Sequence, residues 1–260
     1  MSKAARVENR NARTKNDERF VMAWCYRQTD PPVGEFMDSV VQTMQRDYML
    51  HGARFVSGGT LSMQSGPRIA EARTQLVEKF LTAPEFDGID WLWMVDSDMS
   101  WDPDVVYPLI LDTIDKDTCP ILGGLCFAGN MDKHWPTLYV IEDEDLNIKR
   151  MPEIPENQLV KVDGTGAAFM LVHRSVLIKM FDRFSKQPNG TTSRYPWFAE
   201  GMINKKTGSP YGEDIIFCIR ARDLGIPIYV HTGMLINHHK PGKLTLDSYK
   251  RQGPIDDNNI

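Results

Sequence analysis

Three short stretches of this chain carry residue types that could do chemistry. "WLWMVDSDM" ends an apolar run in Asp96 and Asp98, two carboxylates separated by Ser97. Spaced i, i+2 beyond a strand end, they can aim at one point, which suits a hard divalent cation such as Mn2+ or Mg2+ carrying phosphates. Equally, they could be turn carboxylates that cap the next helix. "YGEDIIFCIRARDLG" puts Glu213 and Asp214 on the first turn of a helix, as an acid–base pair or simply as charges favoured by the helix dipole. "LINHHK" offers two adjacent histidines, His238 and His239.

These residues need elements to hold them. Trp91 to Val95 is apolar without alternation, the mark of a strand buried on both faces in a sheet covered by helices. Carboxylates at the end of such a strand lie where open α/β sheets bind ligands. Before it, "FVMAWCY" and "ARFVSGG" read as strands, and "GEFMDSVVQTMQ" and "PRIAEARTQLVEKFLTA" as helices, the second opened by Pro67. After it, Asp102 and Pro103 suit the cap and first position of a helix over "PDVVYPLILDTI", where Pro108 introduces a kink, and "CPILGGLCFAG" is a fourth strand.

Strand and helix alternating three times predicts a doubly wound, mostly parallel sheet with right-handed crossovers. From about residue 135 the rhythm becomes mixed. "PTLYVIEDEDLNIKRM" is a hairpin whose acidic turn, Asp143 to Asp145, is a solvated loop; "GTGAAFMLVHRSVLIKM" is a strand entering a helix, and "IPIYVHT" a strand after Gly225. Gly164, Gly166 and Ala167 allow either a close backbone approach to a ligand or a tight turn. The Pro-, Gly- and Ser-rich stretch 182–211 reads as a loop that covers substrate.

Totals bound the class without choosing a partner. The 260 residues, 42% hydrophobic and 25% charged, fit one α/β domain over 20–240, between a polar basic arm at 1–19 and a tail at 241–260. A net charge of −5 on a mixed-sign chain marks no nucleic-acid or membrane-surface binder. Cys25, Cys119, Cys126 and Cys218 are widely spaced in apolar segments, which suits buried thiols in a reducing compartment. No signal-like stretch opens the chain and nowhere do about 18 apolar residues run together, so the expectation is a soluble cytoplasmic protein with no membrane partner.

In order, "RIAEARTQLV", "WLWMVDSDM", "ILGGLCFA", "GTGAAFMLVHRSVL", "YGEDIIFCIRARDLGIPIYVHT" and "LINHHK" resemble the motif series of soluble GT-A-fold glycosyltransferases, family-two-like, of the kind found in bacteria and phages. The resemblance spans about residues 20 to 240. It implies a Rossmann-like fold, a nucleotide-sugar donor (a UDP-sugar foremost), a divalent cation, and a glycan, protein hydroxyl or modified DNA base as acceptor, in a bacterial or phage-infected cell. Asp96 would meet the ribose or the metal shell, and Asp98 would ligate the cation with His238, His239 being the rival. Cys25, Tyr26 and Arg27 would lie by the base and ribose, Arg73 by the phosphates, Ser97 within the motif, and Gly123, Gly124 and Gly166 near the donor sugar.

The same resemblance places Glu213 and Asp214 beside the acceptor. Helical neighbours are turned about 100° apart, so one of them faces the site, and Asp214 is taken as the base of an inverting transfer. Trp197 and Phe198 could stack on an acceptor sugar or fill the core beneath the loop. The pattern departs from the family at "FAGN", where arginine often follows the glycine strand. His134, His173 and His231 read as structural. Two other readings stand beside this one: a haloacid-dehalogenase-like phosphotransferase with Asp96 as nucleophile, and a catalytically silent nucleotide-sugar-binding module.

Overall fold

The computed structural model describes residues 18–50, 55–142, 146–186, 193–240 and 242–252. Its first half runs β1 (Phe20–Tyr26), α1 (Gly34–Leu50), β2 (Phe55–Gln64), α2 (Ile69–Thr82), β3 (Trp91–Val95), β4 (Met99–Trp101), α3 (Pro103–Thr113) and β5 (Ile121–Leu125). The second half continues with β6 (Phe127–Gly129), β7 (His134–Pro136), β8 (Tyr139–Ile141), β9 (Ile148–Arg150), β10 (Leu159–Val162), β11 (Phe169–His173), α4 (Arg174–Phe184), α5 (Glu213–Asp223), β12 (Ile228–Lys240), β13 (Gly242–Leu244) and α6 (Leu246–Gln252).

The main sheet has the order β10-β12-β5-β11-β3-β1-β2, with β4 and β13 added along the far end of β12. β2, β1 and β3 are parallel; β11 is antiparallel to both β3 and β5, β12 is parallel to β5, and β10 is antiparallel to β12. The fold is therefore the expected mixed α/β arrangement, with a mostly parallel sheet, a doubly wound first half and a mixed second half.

The unbroken apolar strands are explained by helices on both faces. In β1, Val21 and Ala23 enter the core shared with α2, α4 and α5, while Phe20, Met22 and Trp24 enter the one shared with α1 and α3. β3 divides likewise, Leu92 and Met94 to one side and Trp91, Trp93 and Val95 to the other. α1 buries Phe36, Ser39, Val40, Thr43 and Asp47 at helical spacing. α3 starts as its sequence dictates: the Asp102 carboxylate accepts the Asp104 N–H at 2.9 Å, Pro103 follows, and Pro108 is accommodated within the helix.

Several elements depart from the expected ones. "CPILGGLCFAG" is not one strand, because β5 ends at Leu125 and β6 turns away to pair with β7. "IPIYVHT" is only the start of β12, a strand of 13 residues that shifts register between His231 and Leu235 and then runs on past the sheet. The tail expected from 241 instead contributes β13 and α6, with Leu244 buried and Tyr249 packed 5.5 Å from Phe127. β8 and β9 form the expected hairpin, whose acidic turn 143–145 lies outside the described residues, as does most of the basic arm. No helix among the described residues is long and apolar enough to cross a membrane.

The stretch 182–211 is not a simple covering loop. α4 takes its first residues, and 187–192 lie outside the described residues. Beyond them Trp197 and Phe198 are 1% and 0% exposed, Trp197 donating its indole N–H to the Leu177 carbonyl at 2.7 Å and Phe198 stacking on Phe217 at 4.8 Å. Their rings fill the core beneath α2, α4 and α5 and are not available to an acceptor sugar.

Gly123 and Gly124 also lie inside the structure, in a strand flanked by β11 and β12. A Cβ on Gly124 would come 2.6 Å from Ile236 and 3.0 Å from Phe169, so this glycine is required by close packing and does not face a donor sugar. Gly124→Ala should therefore cost about 1–3 kcal/mol of stability through overpacking. Ile236→Ala, which removes both clashing carbons, should cost less on that background than in the wild-type chain, measured as the midpoint of denaturant unfolding.

Candidate active site

The carboxyl ends of β1 and β3 open into a cleft of about 580 Å³, lined among others by Cys25, Tyr26, Arg27, Asp96, Ser97, Asp98, His239 and Lys240. That volume is in the range of small-molecule sites, and its position at the strand ends is where α/β sheets bind ligands. Cys25 is an inert member, its thiol pushed up to about 12, mainly by burial.

The D-x-D turn is pinned by backbone bonds from three other segments. Asp96 N–H donates to the Ala168 carbonyl at 2.9 Å, the Ser97 carbonyl accepts from Val33 N–H at 3.0 Å, and the Asp98 carbonyl accepts from His239 N–H at 2.8 Å. Within the turn, Met99 N–H donates to the Asp96 carbonyl at 3.1 Å. β12 reaches the turn because its extension pairs with β4, setting His238 opposite Met99.

At this junction His238 Nε2 lies 3.1 Å from Asp98 Oδ2, and His238 Nδ1 lies 2.9 Å from the Phe127 carbonyl oxygen. A carbonyl only accepts, so Nδ1 carries the ring proton. Nε2 then turns a lone pair toward a carboxylate, an opposition that a second proton or a cation must resolve. Burial alone would raise the Asp98 carboxyl; with the second proton on Nε2, the His238 hydrogen bond and charge, joined by Lys240, outweigh burial and hold it below its ordinary value. The neighbouring histidine is used differently: His239 Nε2 is 2.8 Å from Ser100 Oγ, and its Nδ1 faces Glu35 at 3.9 Å.

Asp96 points elsewhere. Both its oxygens accept from one nitrogen of Arg73, at 2.8 and 2.9 Å, while the other terminal nitrogen of that guanidinium donates to Glu213. Arg73 is only 7% exposed and lies 5.9 Å over the Phe198 ring, so its fork is committed to two carboxylates and is not presented to phosphates in the cleft. The arginine expected at the nucleotide is thus an internal tie, and Asp96 is not turned toward a metal. Among the described residues no three His, Cys, Asp or Glu side chains converge as a metal cluster; Asp98 and His238 approach as a pair at 3.1 Å.

Asp214 follows Glu213 but is not held by Arg73 in the same way. Its Oδ1 accepts from Ile215 N–H at 2.8 Å. Two glycines give it room, since a Cβ on Gly212 would lie 2.6 Å from Oδ1 and one on Gly166 would lie 3.6 Å from Oδ2. Gly166 therefore borders the acid rather than being shown at a donor sugar. Burial first, and then the adjacent Glu213 charge, raise the Asp214 carboxyl to about 6, Arg73 offsetting part of the rise.

Sequence reasoning missed Lys240 and Glu35. Lys240 Nζ lies 3.3 Å from Asp98 Oδ2. It sits two residues beyond His238 on the same strand, and that i, i+2 spacing was the available signal. The remaining histidines have structural partners: His134 Nε2 is 2.9 Å from Ser248 Oγ, His231 Nδ1 accepts from Gly233 N–H, and His173 caps α4 with its ring pushed down to about 4, chiefly by burial.

Removing the cation of the Arg73 pair while leaving its carboxylates in place should be severe. Arg73→Met should cost about 3 kcal/mol, the low end for a broken buried pair because Asp96 keeps part of its surface in water. Arg73→Lys should recover only part, since an ammonium cannot span two carboxylates as a planar fork does. A mere surface charge would shift the unfolding midpoint by less than about 0.5 kcal/mol.

No protein-family model matches the chain, and no curated protein matches it in sequence. Among solved structures it is similar to A197 from STIV, with a TM-score of 0.52 and 15% identity, over 88% of this chain and 91% of that one. A glycosyltransferase involved in the glycosylation of the major capsid of PBCV-1 aligns with a TM-score of 0.34 and 13% identity, over 68% of this chain and 72% of that one. At these identities the first likeness is one of fold, and the second is too distant to bear on the site.

Proposed function

We propose that this protein is a nucleotide-sugar-dependent glycosyltransferase that transfers a sugar to a hydroxyl acceptor with inversion. The observation that carries the reading is Asp98, in the wall of the strand-end cleft, opposed by His238, with Asp214 linked to the same turn through Glu213, Arg73 and Asp96. The donor is a nucleotide sugar, a UDP-sugar foremost, and the acceptor a glycan, a protein hydroxyl or a modified DNA base. All four cysteines are free, in keeping with the proposed setting of a bacterial or phage-infected cytoplasm.

Asp98 and His238 would hold a divalent cation, Mn2+ or Mg2+, which supplies charge neutralisation to the departing diphosphate. The residues fit such an ion: two acceptor atoms face each other, and the second ring nitrogen of His238 is fixed by a backbone carbonyl, as metal-bound histidines are. Tyr26 and Arg27 line the same cleft and would contact the nucleotide. Lys240 would place a further positive charge beside the phosphates.

Asp214 would act as general base. The acceptor oxygen forms its bond to the anomeric carbon while the bond from that carbon to the phosphate oxygen breaks; the acceptor proton passes to Asp214, and the nucleoside diphosphate leaves with the bonding electrons. Glu213 is the weaker choice for this role because its carboxylate is engaged by Arg73. The phosphotransferase reading needs Asp96 as nucleophile, but both its oxygens accept from a buried guanidinium, which draws off the electron density a nucleophile must donate. A silent binding module would hold the donor without cleaving it, which nucleotide release distinguishes.

Asp98→Ala should abolish metal-dependent UDP binding in calorimetry while leaving the melting temperature close to wild type. His238→Ala should weaken that binding far more than His239→Ala. Unchanged affinity in both Asp98→Ala and His238→Ala would remove the cation site.

The base has a pH signature. With its carboxyl raised to about 6, Asp214 is protonated and idle below that value, so kcat/KM should rise about tenfold per pH unit up to about pH 6 and then level. The sign for stability is opposite: a carboxyl raised above its ordinary value favours the fold at low pH and loses that contribution as pH climbs through about 6. Asp214→Asn should therefore lose roughly two to four orders of magnitude in transfer without loss of stability at pH 7. A helix cap alone would instead lose about 1 kcal/mol of stability and little rate.

A further inference from the structure

A second cleft, of about 590 Å³, lies against the start of α5, with Gly212 and Ile215, which bracket Asp214, in its wall. Tyr139 and Ile215 meet there across Gly164, 3.5 and 3.4 Å from where its Cβ would be. The walls are tied together, because the Tyr211 hydroxyl donates to the Leu146 carbonyl at 2.6 Å and joins the loop before α5 to the β8–β9 hairpin. The described lining carries three cationic side chains, Lys149, Arg150 and Lys206, and no carboxylate. Arg150 is stacked 4.2 Å over the Trp135 ring, which fixes the plane of its guanidinium. Lys149 bonds Glu142 at 2.7 Å in an exposed pair, the kind an incoming anion can replace.

We infer that this cleft is the acceptor subsite and that it takes saccharides carrying a carboxylate or phosphate next to the reacting hydroxyl. The inference rests on the assignment of Asp214 as base, and it names the acceptor class that assignment leaves open. An anionic sugar matches the cations of the rim, and the tyrosines supply apolar faces for a pyranose ring. A concavity with tied walls and only three cations in its described lining suits a glycan end better than an extended nucleic-acid strand, which needs a continuous basic track.

The test is calorimetry on the full chain with trigalacturonate and the neutral trisaccharide maltotriose as probes, in the presence of UDP and Mn2+. Trigalacturonate should bind about tenfold tighter than maltotriose. That preference should vanish in Lys149→Gln/Lys206→Gln, two exposed positions at which the melting temperature should not move. Equal affinity for the two probes, or a preference that survives the double substitution, would overturn the inference. So would trigalacturonate binding that appears only when UDP is left out, which would place it in the first cleft, or its displacement by a single-stranded oligonucleotide that binds more tightly. Asp214→Asn should leave this binding intact, so loss of transfer in that variant and loss of anion preference report on the two proposals separately.

Discussion

The arrangement depends on one buried cation. Arg73, on α2, is enclosed by the core yet keeps its charge because Asp96 and Glu213 neutralise it from two sides. Burial would lower its affinity for a proton, but the two carboxylates and nearby Asp214 more than reverse this. A guanidinium in such a place can lose neither partner without stranding a charge away from water. The end of β3 and the start of α5, 117 residues apart between Asp96 and Glu213, are thereby held in fixed relation. The proposed donor side and the proposed base side become one construction.

The same cluster explains the unusual carboxyl. One positive charge faces Asp96 and Glu213, so it is already outnumbered before Asp214 is added. The third acid has the weakest hold on the arginine and is itself buried, and its proton affinity rises accordingly. A group that takes up a proton near pH 6 is thus a consequence of burial first and of the neighbouring Glu213 charge second, which Arg73 offsets only in part. The second constraint is β12, whose extension beyond the sheet carries His238 across to Asp98 and Lys240 beside it.

Much of this was legible in the sequence. Strands buried on both faces show as apolar runs without alternation, and a carboxylate pair after such a run marks the ligand edge of the sheet, so β1, β3 and the D-x-D turn could be read directly. That His238 and not His239 faces Asp98 agrees with the resemblance, but residue type and spacing alone could not give it, because it depends on which side of an antiparallel pairing each ring occupies. Arg73 was misread for a related reason: an arginine on a helix looks the same in sequence whether it faces solvent, phosphate or two distant carboxylates. Gly123, Gly124, Trp197 and Phe198 carried residue types that suit a sugar site, yet neighbours far away in sequence, Ile236, Leu177 and Phe217, place them in the interior. β4 and β6 are three residues each and leave almost no periodicity to detect.

The central claim is that the strand-end cleft takes a nucleotide sugar with a divalent cation and that the chain cleaves it. The most direct measurement is nucleotide release from a panel of UDP-, GDP- and dTDP-sugars, with Mn2+ or Mg2+ and after chelation. The account predicts slow release from at least one donor, dependent on the metal and abolished by EDTA. Release from none of them, together with metal-dependent release of phosphate from a small phosphoester that is lost in Asp96→Asn, would contradict it.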